Sequence, residues 1–183
     1  MQLPNLNTER LLLRPFLLAD ALDVQRLAGD REIADTTLNV PHPYEDGMAE
    51  AWISGQQSKI GGGELSAFAI TLKTNGEIVG AISLRIDPSM SRANLGYWIG
   101  KPYWNTGYCT EAALRIVRFA FEELKLHRLH AEHLDRNPAS GRVLQKIGMV
   151  KEGIAREHTT KWGRFEDLVL YGLLRDEWVG KKS

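Results

Sequence analysis

Cysteine is almost missing from this sequence. One residue, Cys109, stands among 183, which excludes an internal disulfide framework and fits a reducing compartment. No apolar run approaches the roughly 20 residues that a bilayer-spanning helix needs. Neither charge is in excess: 23 Lys and Arg balance 23 Asp and Glu, so composition supplies no general basic surface for nucleic acid. Met1–Thr8 lacks the basic flank and apolar stretch of a secretory signal. Repeats, low-complexity tracts and linker-like stretches are absent too, so 1–183 reads as a single domain, long enough to bury a full core. The expectation is a cytoplasmic protein with no membrane partner and no direct nucleic-acid partner. What is present fits that: 43% hydrophobic and 25% charged residues lie in the ordinary range for globular domains.

The periodicity predicts a short strand over Arg10–Arg14, stopped by Pro15. Asp20 is positioned to cap a helix over Ala21–Ala28, with Leu22, Val24, Leu27 and Ala28 as its apolar set. Asp30–Tyr44 reads as irregular, held extended by Pro41 and Pro43. A second helix is expected over Glu45–Ser58, with Met48, Ala51, Trp52 and Gly55 on one stripe, followed by the flexible Gly61-Gly62-Gly63. Ser66–Leu72 then alternates, Asn75-Gly76 marks a hairpin turn, and Ile78–Ile86 returns. Ala93–Ile99 is a further strand, Thr110–Leu124 a long buried helix, and Arg128–Leu134 a strand. Ala139–Ile147 is a helix ended by Gly148. Val150–Thr160 and Glu166–Leu174 are strands joined through Trp162-Gly163. The order β-α-α-β-β-β-α-β-α-β-β combines hairpins with one strand-helix-strand passage. It predicts an α/β mixed sheet of about seven strands, mostly antiparallel, with helices on both faces.

One stretch carries chemistry. Gly96-Tyr97-Trp98-Ile99-Gly100 ends a strand, and Trp104-Asn105-Thr106-Gly107-Tyr108-Cys109-Thr110-Glu111-Ala112 leads into the long helix. Backbone N–H groups at a helix start lack intrahelical partners and sit at the positive end of the dipole, so such a turn suits a pyrophosphate. Gly107 lets the backbone approach a ligand closely. The plainer alternative is an ordinary helix entry, with Thr110 as cap and Gly107 as a turn glycine.

That stretch resembles the acyl-CoA-binding motif of GNAT acetyltransferases, Q/R-x-x-G-x-G/A, in its RimJ/RimL-type form, G-Y-W-x followed by W-G-x-G-Y-A-T-E-A. Thr8-Glu9-Arg10-Leu11-Leu12-Leu13-Arg14 is similar to the opening T-E-R-L-x-L-R of that branch. Asn137-Pro138-Ala139-Ser140 with Lys146-Ile147-Gly148-Met149 resembles its N-x-x-S-x-x-x-L-x-K-x-G-F segment, and Tyr171-Gly172-Leu173-Leu174 with Trp178 its close. Trp104, Asn105, Cys109 and Met149 depart from the pattern; Asn105 tolerates left-handed geometry, so the turn should survive. The resemblance implies a GNAT-type fold and acetyl-CoA as cosubstrate. Pantetheine would lie against the backbone of Tyr97, Trp98 and Ile99, and pyrophosphate on Asn105, Thr106, Gly107, Tyr108, Cys109 and Thr110. Asn137 would bond the pantetheine arm, and Ser140 would protonate the departing thiolate without any metal. It further implies a homodimer, by analogy, and a protein amino terminus, ribosomal-protein-like, as acceptor. Acetylation of a small amine (amino acid, polyamine or antibiotic) and a non-catalytic CoA-binding sensor stay open beside it.

The general base is less legible. Some members of the branch use a glutamate where Thr159 stands here. Glu157, two residues earlier, should share its strand face, with His158 and Asp167 as other candidates and a solvated surface role as the alternative. Tyr44, Trp52 and Pro41-His42-Pro43 come from the region expected to wall the acceptor site. Asp30, Glu32, Asp35, Glu45, Asp46 and Glu50 would make that cleft acidic. His127, His130 and His133 have even spacing, but the strand period sends His130 and His133 to opposite faces, against a metal site. Cys109 reads either as a helix-start thiol of lowered pKa or as a packing residue.

Overall fold

The computed structural model describes residues 3–180. Eight strands form one sheet in the order β1-β2-β3-β4-β5-β6-β8-β7. They are β1 (Leu6–Asn7), β2 (Leu11–Pro15), β3 (Leu65–Leu72), β4 (Ile78–Asp87), β5 (Arg92–Ile99), β6 (Arg128–Leu134), β7 (Val150–Lys161) and β8 (Arg164–Leu174). Every neighbouring pair is antiparallel except β5 and β6. The expected mixed sheet is therefore present, with the two-residue β1 as an eighth strand.

Helices cover both faces, so β3 and β4 are buried on both sides and carry apolar residues at consecutive positions. One face carries α4 (Tyr108–Arg118), extended by a π turn over Phe119–Glu123, and α5 (Pro138–Lys146). Leu13, Phe68, Ile82, Leu95, Ile116, Val117, Leu129 and Leu144 pack together there in the largest apolar cluster. The other face carries α1 (Ala21–Ala28), α2 (Arg31–Thr36) and α3 (Met48–Gly61), over smaller clusters around Val24, Ile53 and Leu27. The chain closes with α6 (Arg175–Gly180).

Local signals placed several elements well. Gly76 is left-handed in the β3–β4 connection, where Leu72 N–H donates to the Glu77 carbonyl at 2.9 Å. Gly148, at φ 92°, ends α5, and Met149 N–H reaches the Leu144 carbonyl at 3.0 Å.

Others require correction. Asp20 does not cap α1. Its buried carboxylate takes both ends of the Arg14 guanidinium, at 2.7 and 2.8 Å, and the Leu17 N–H at 2.8 Å. A bidentate charge pair outcompetes a cap because it also answers the burial of the carboxylate. Leu22 is 76% exposed, and Ala21 takes its place in the buried set. The segment read as irregular contains α2, whose first turn Asp30 caps through Glu32 N–H at 2.9 Å. Helix α3 starts and ends three residues later than Glu45–Ser58, and its buried residues are Ala49, Ile53 and Gln56. The Ala51, Trp52 and Gly55 stripe instead faces a cavity.

Candidate active site

The one parallel strand pair creates the site. β5 and β6 pair only at Arg92–Asn94 with Arg128–His130, whereas β5 keeps pairing with β4 as far as Ile99. Beyond Asn94 the edge of β5 that faces β6 is open, and its backbone groups have no strand partner there. A cavity of about 880 Å3 fills the gap and reaches under α3. Alternation divides β5 across it: Tyr97 packs toward α4 and α5, Trp98 toward α1 and α3.

At the far end of β5 lies the turn read as an anion site. Asn105 adopts the left-handed conformation, φ 62°, and Gly107 does so at φ 85°. Gly107 precedes α4 and has no side-chain cap; the first bond across it runs from Glu111 N–H to the Gly107 carbonyl at 3.1 Å. The N–H groups of Tyr108, Cys109 and Thr110 lie ahead of that bond and are open to an anion. The opening motif fastens this turn. Glu111 accepts from Thr8 Oγ1 at 2.6 Å, Arg10 N–H at 2.8 Å and Arg10 Nε at 2.7 Å. Arg10 also donates to the Thr106 carbonyl at 3.1 Å and lies over the Tyr108 ring, 4.6 Å from its centre. The T-E-R and T-E-A segments, apart in sequence, are thus one hydrogen-bonded unit. These residues fit a pyrophosphate, since a glycine stands where a side chain would obstruct it and the donors are free.

Cys109 is half-buried against the core, and burial pushes its thiol up to about 12. That favours packing over a reactive thiolate. At pH 8 a thiol with such a pKa is ionised at about one part in 10,000. Alkylation of the native protein with iodoacetamide should therefore be slower than that of glutathione by two orders of magnitude or more; a comparable rate would contradict the packing assignment.

Ser140 lies in the first turn of α5, and Asn137 caps it, its Oδ1 accepting from Ser140 N–H at 3.3 Å. The Asn137 amide donates to the Thr36 carbonyl at 3.0 Å, so Asn137 also ties α5 to the C-terminal end of α2. Sequence reasoning valued Tyr97 for its backbone alone. The structure adds its hydroxyl, 2.9 Å from Ser140 Oγ and 3.2 Å from the Ser140 carbonyl. Burial drives the Tyr97 phenol well above its ordinary value and keeps it neutral. Ser140 therefore has a neutral hydroxyl neighbour rather than a charged one. Beneath α5, His133 stacks near Tyr171, at 5.7 Å, and its Nδ1 meets the Leu134 carbonyl at 2.7 Å. A Cβ on Gly141 would stand 2.7 Å from His133 Nε2, which is how the helix comes so close to the strand.

The α1–α3 side of the cavity holds the residue that sequence reasoning missed. Glu132, half-buried on β6, accepts from Asn94 Nδ2 at 2.7 Å across the point where the strands part. It lines the cavity together with Ser140 and Tyr97. The only sequence-level hint was the single carboxylate of a strand whose other polar residues are Arg128, His130 and His133.

Glu157 does not reach this cavity. It is exposed, at φ 49° in a bulge where Arg156, Glu157 and His158 stand opposite Asp167, and its N–H donates to Asp167 Oδ1 at 2.7 Å. The bulge breaks the alternation on which a shared face with Thr159 depended. Thr159, His158 and Asp167 are not cavity-lining residues either. Nor do the six acidic residues make the cleft acidic, for none of them lines it. Asp30 caps α2, Glu32 pairs with Lys101 and Asp46 accepts from Gln25. Asp35 holds Arg136 and the Trp162 indole at 2.9 and 2.8 Å; burial opposes its charge, yet these donors keep its carboxyl below the usual range. With Lys161 donating to the Val40 carbonyl at 3.3 Å, the β7–β8 hairpin tip clamps the loop that walls the cavity. His130 and His133 do lie on opposite faces of β6.

A splayed parallel pair, with an anion-binding helix start at one end and a second opening across the sheet, is the arrangement of the GNAT acyltransferases. The chain belongs to that family: the acetyltransferase (GNAT) domain profile matches residues 10–150. It is 30% identical over 177 residues to an uncharacterized N-acetyltransferase, p20, of Bacillus licheniformis, covering 96% of this chain and 98% of the other. It is 28% identical over 183 residues to the [ribosomal protein uS5]-alanine N-acetyltransferase of Escherichia coli, covering 95% and 92%. The fold matches RimJ of Mycobacterium smegmatis, solved with a CoA-disulfide, at a TM-score of 0.84 and 21% identity, over 98% of this chain and 95% of that one. The chain is an N-acetyltransferase. Among the described residues, no helix is long and apolar enough to cross a membrane.

Proposed function

We propose that the protein transfers an acetyl group from acetyl-CoA to a primary amine at a protein amino terminus. The observation that carries this reading is the cavity itself. It joins a hydroxyl pair, Tyr97–Ser140, on one side of the sheet to a carboxylate, Glu132, on the other, through the gap between β5 and β6. Acetyl-CoA would enter with its pyrophosphate on the α4 turn and its pantetheine along the open edge of β5.

The amine nitrogen attacks the thioester carbonyl carbon, and the carbon–sulfur bond breaks. Glu132, directly or through water, takes the proton that the amine must lose; Ser140, held in place by the neutral Tyr97 hydroxyl, gives the thiolate its proton and regains one from solvent. A protein acceptor is supported by the uS5-alanine acetyltransferase, similar along its length.

Release of CoA thiol from acetyl-CoA, measured against a panel of amino-terminal peptides and small amines, tests the reading. Turnover on peptides is expected. Tight CoA binding with no turnover on any acceptor would instead define a CoA sensor. Ser140→Ala is expected to lower kcat by roughly 10- to 1000-fold, with the KM for acetyl-CoA little changed. An unchanged kcat would remove Ser140 from the reaction.

A further inference from the structure

The acceptor half of the cavity contains a polar group with no evident structural duty. Gln56, in the middle of α3, is 8% exposed, yet it lines the cavity and makes no hydrogen bond with any other described residue. Its amide atoms are not closed off from the cavity, so they stand ready there for a ligand that both donates and accepts. Trp52, one turn earlier on the same stripe, also faces the cavity, its ring set edge-on against Phe16 with centres 5.0 Å apart. Across from α3 the sheet contributes Trp98 and Glu132. The acceptor half thus offers a carboxylate for an amine, aromatic surface for a side chain, and one amide that both donates and accepts.

We propose that Gln56 recognises the first peptide bond of the acceptor, so that the enzyme selects amines carrying a neighbouring amide over bare alkylamines and polyamines. This rests on the acetyl-transfer reading above and adds its acceptor class. A peptide carbonyl and N–H complement the glutamine amide, whereas a methylene chain would displace water from it without replacing the hydrogen bonds. Sites built to bond a polar substrate group discriminate strongly against analogues that lack it.

The experiment compares wild type and Gln56→Leu on a short peptide with a free amino terminus and on an unbranched alkylamine. For the peptide, kcat/KM should fall about 5- to 50-fold, mostly through KM, as loss of one buried hydrogen bond predicts. For the alkylamine it should move less than about twofold, and the KM for acetyl-CoA should stay constant, which also reports an intact fold. Equal losses on both acceptors, or no loss on the peptide, overturn the role of Gln56. A wild-type preference for the alkylamine overturns it while leaving acetyl transfer standing. Absence of CoA release with every acceptor overturns the catalytic reading, and this assignment falls with it.

Discussion

Glu132→Gln is expected to lower kcat/KM for the acceptor by about 100- to 10,000-fold near neutral pH, the range that loss of a general base produces. The substitution is nearly isosteric. The glutamine carbonyl can still accept from Asn94 Nδ2, so the crossing point of β5 and β6 keeps its link, and the KM for acetyl-CoA should change little. Only the proton-accepting carboxylate is lost. The pH dependence follows from the acceptor. An α-amine has an ordinary pKa near about 8 and reacts only when neutral. Below that value the enzyme must remove a proton, and the variant is slow. As pH rises through the amine pKa, solvent does that work and the deficit shrinks. Steady-state rates of wild type and variant between pH 6.5 and 9.5 check both statements. A loss below tenfold, or one constant with pH, would show that another group deprotonates the amine.

Gly107→Val is expected to raise the KM for acetyl-CoA by about 100-fold or more. Gly107 has φ 85°, a conformation that costs an L-residue on the order of 1–2 kcal/mol and a β-branched one more. Its open side meets only Arg10, 3.4 Å from where a Cβ would stand. Valine would therefore strain the turn and also stand on the surface that a phosphate must approach. S-acetyl-pantetheine, which has no phosphates, separates this effect from general damage. Its turnover should fall far less than that of acetyl-CoA. Equal losses would mean that the substitution disturbs the fold and not the phosphate contact.

These two residues differ in how visible they were in the sequence. The Gly107 turn is a local pattern: a strand, a glycine and a helix within one short stretch. Most strands and the ends of α1 and α5 were legible for the same reason. Glu132 depends on a tertiary event, the parting of β5 from β6 beside Asn94, 38 positions earlier in the chain. No periodicity announces that. Glu157 shows the converse failure, because alternation was carried through a strand whose bulge, at φ 49°, interrupts it. Glu32 and Asp35 looked available only because their partners, Lys101, Arg136 and Trp162, come from remote segments. On α3, the stripe of Ala51, Trp52 and Gly55 has the expected period, and Trp52 faces the cavity as the wall position expected for it requires. It lines a cleft, and a hydrophobic pattern alone cannot distinguish a buried face from a binding wall.

The short pairing of β5 with β6 has a mechanical consequence. Strands β2–β5 form one plate and β6–β8 another, each held by longer antiparallel ladders. Between them the pin of the hinge is Arg92–Asn94 against Arg128–His130, and α4 is the strap that connects the plates in sequence. Slight rotation about that pin widens or narrows the opening without breaking a ladder on either side. The proposed reaction would bring both substrates into that opening together, where they would brace the two plates against each other. On the proposed reading, acetyl transfer falls at the seam where the two plates are joined by three residue pairs.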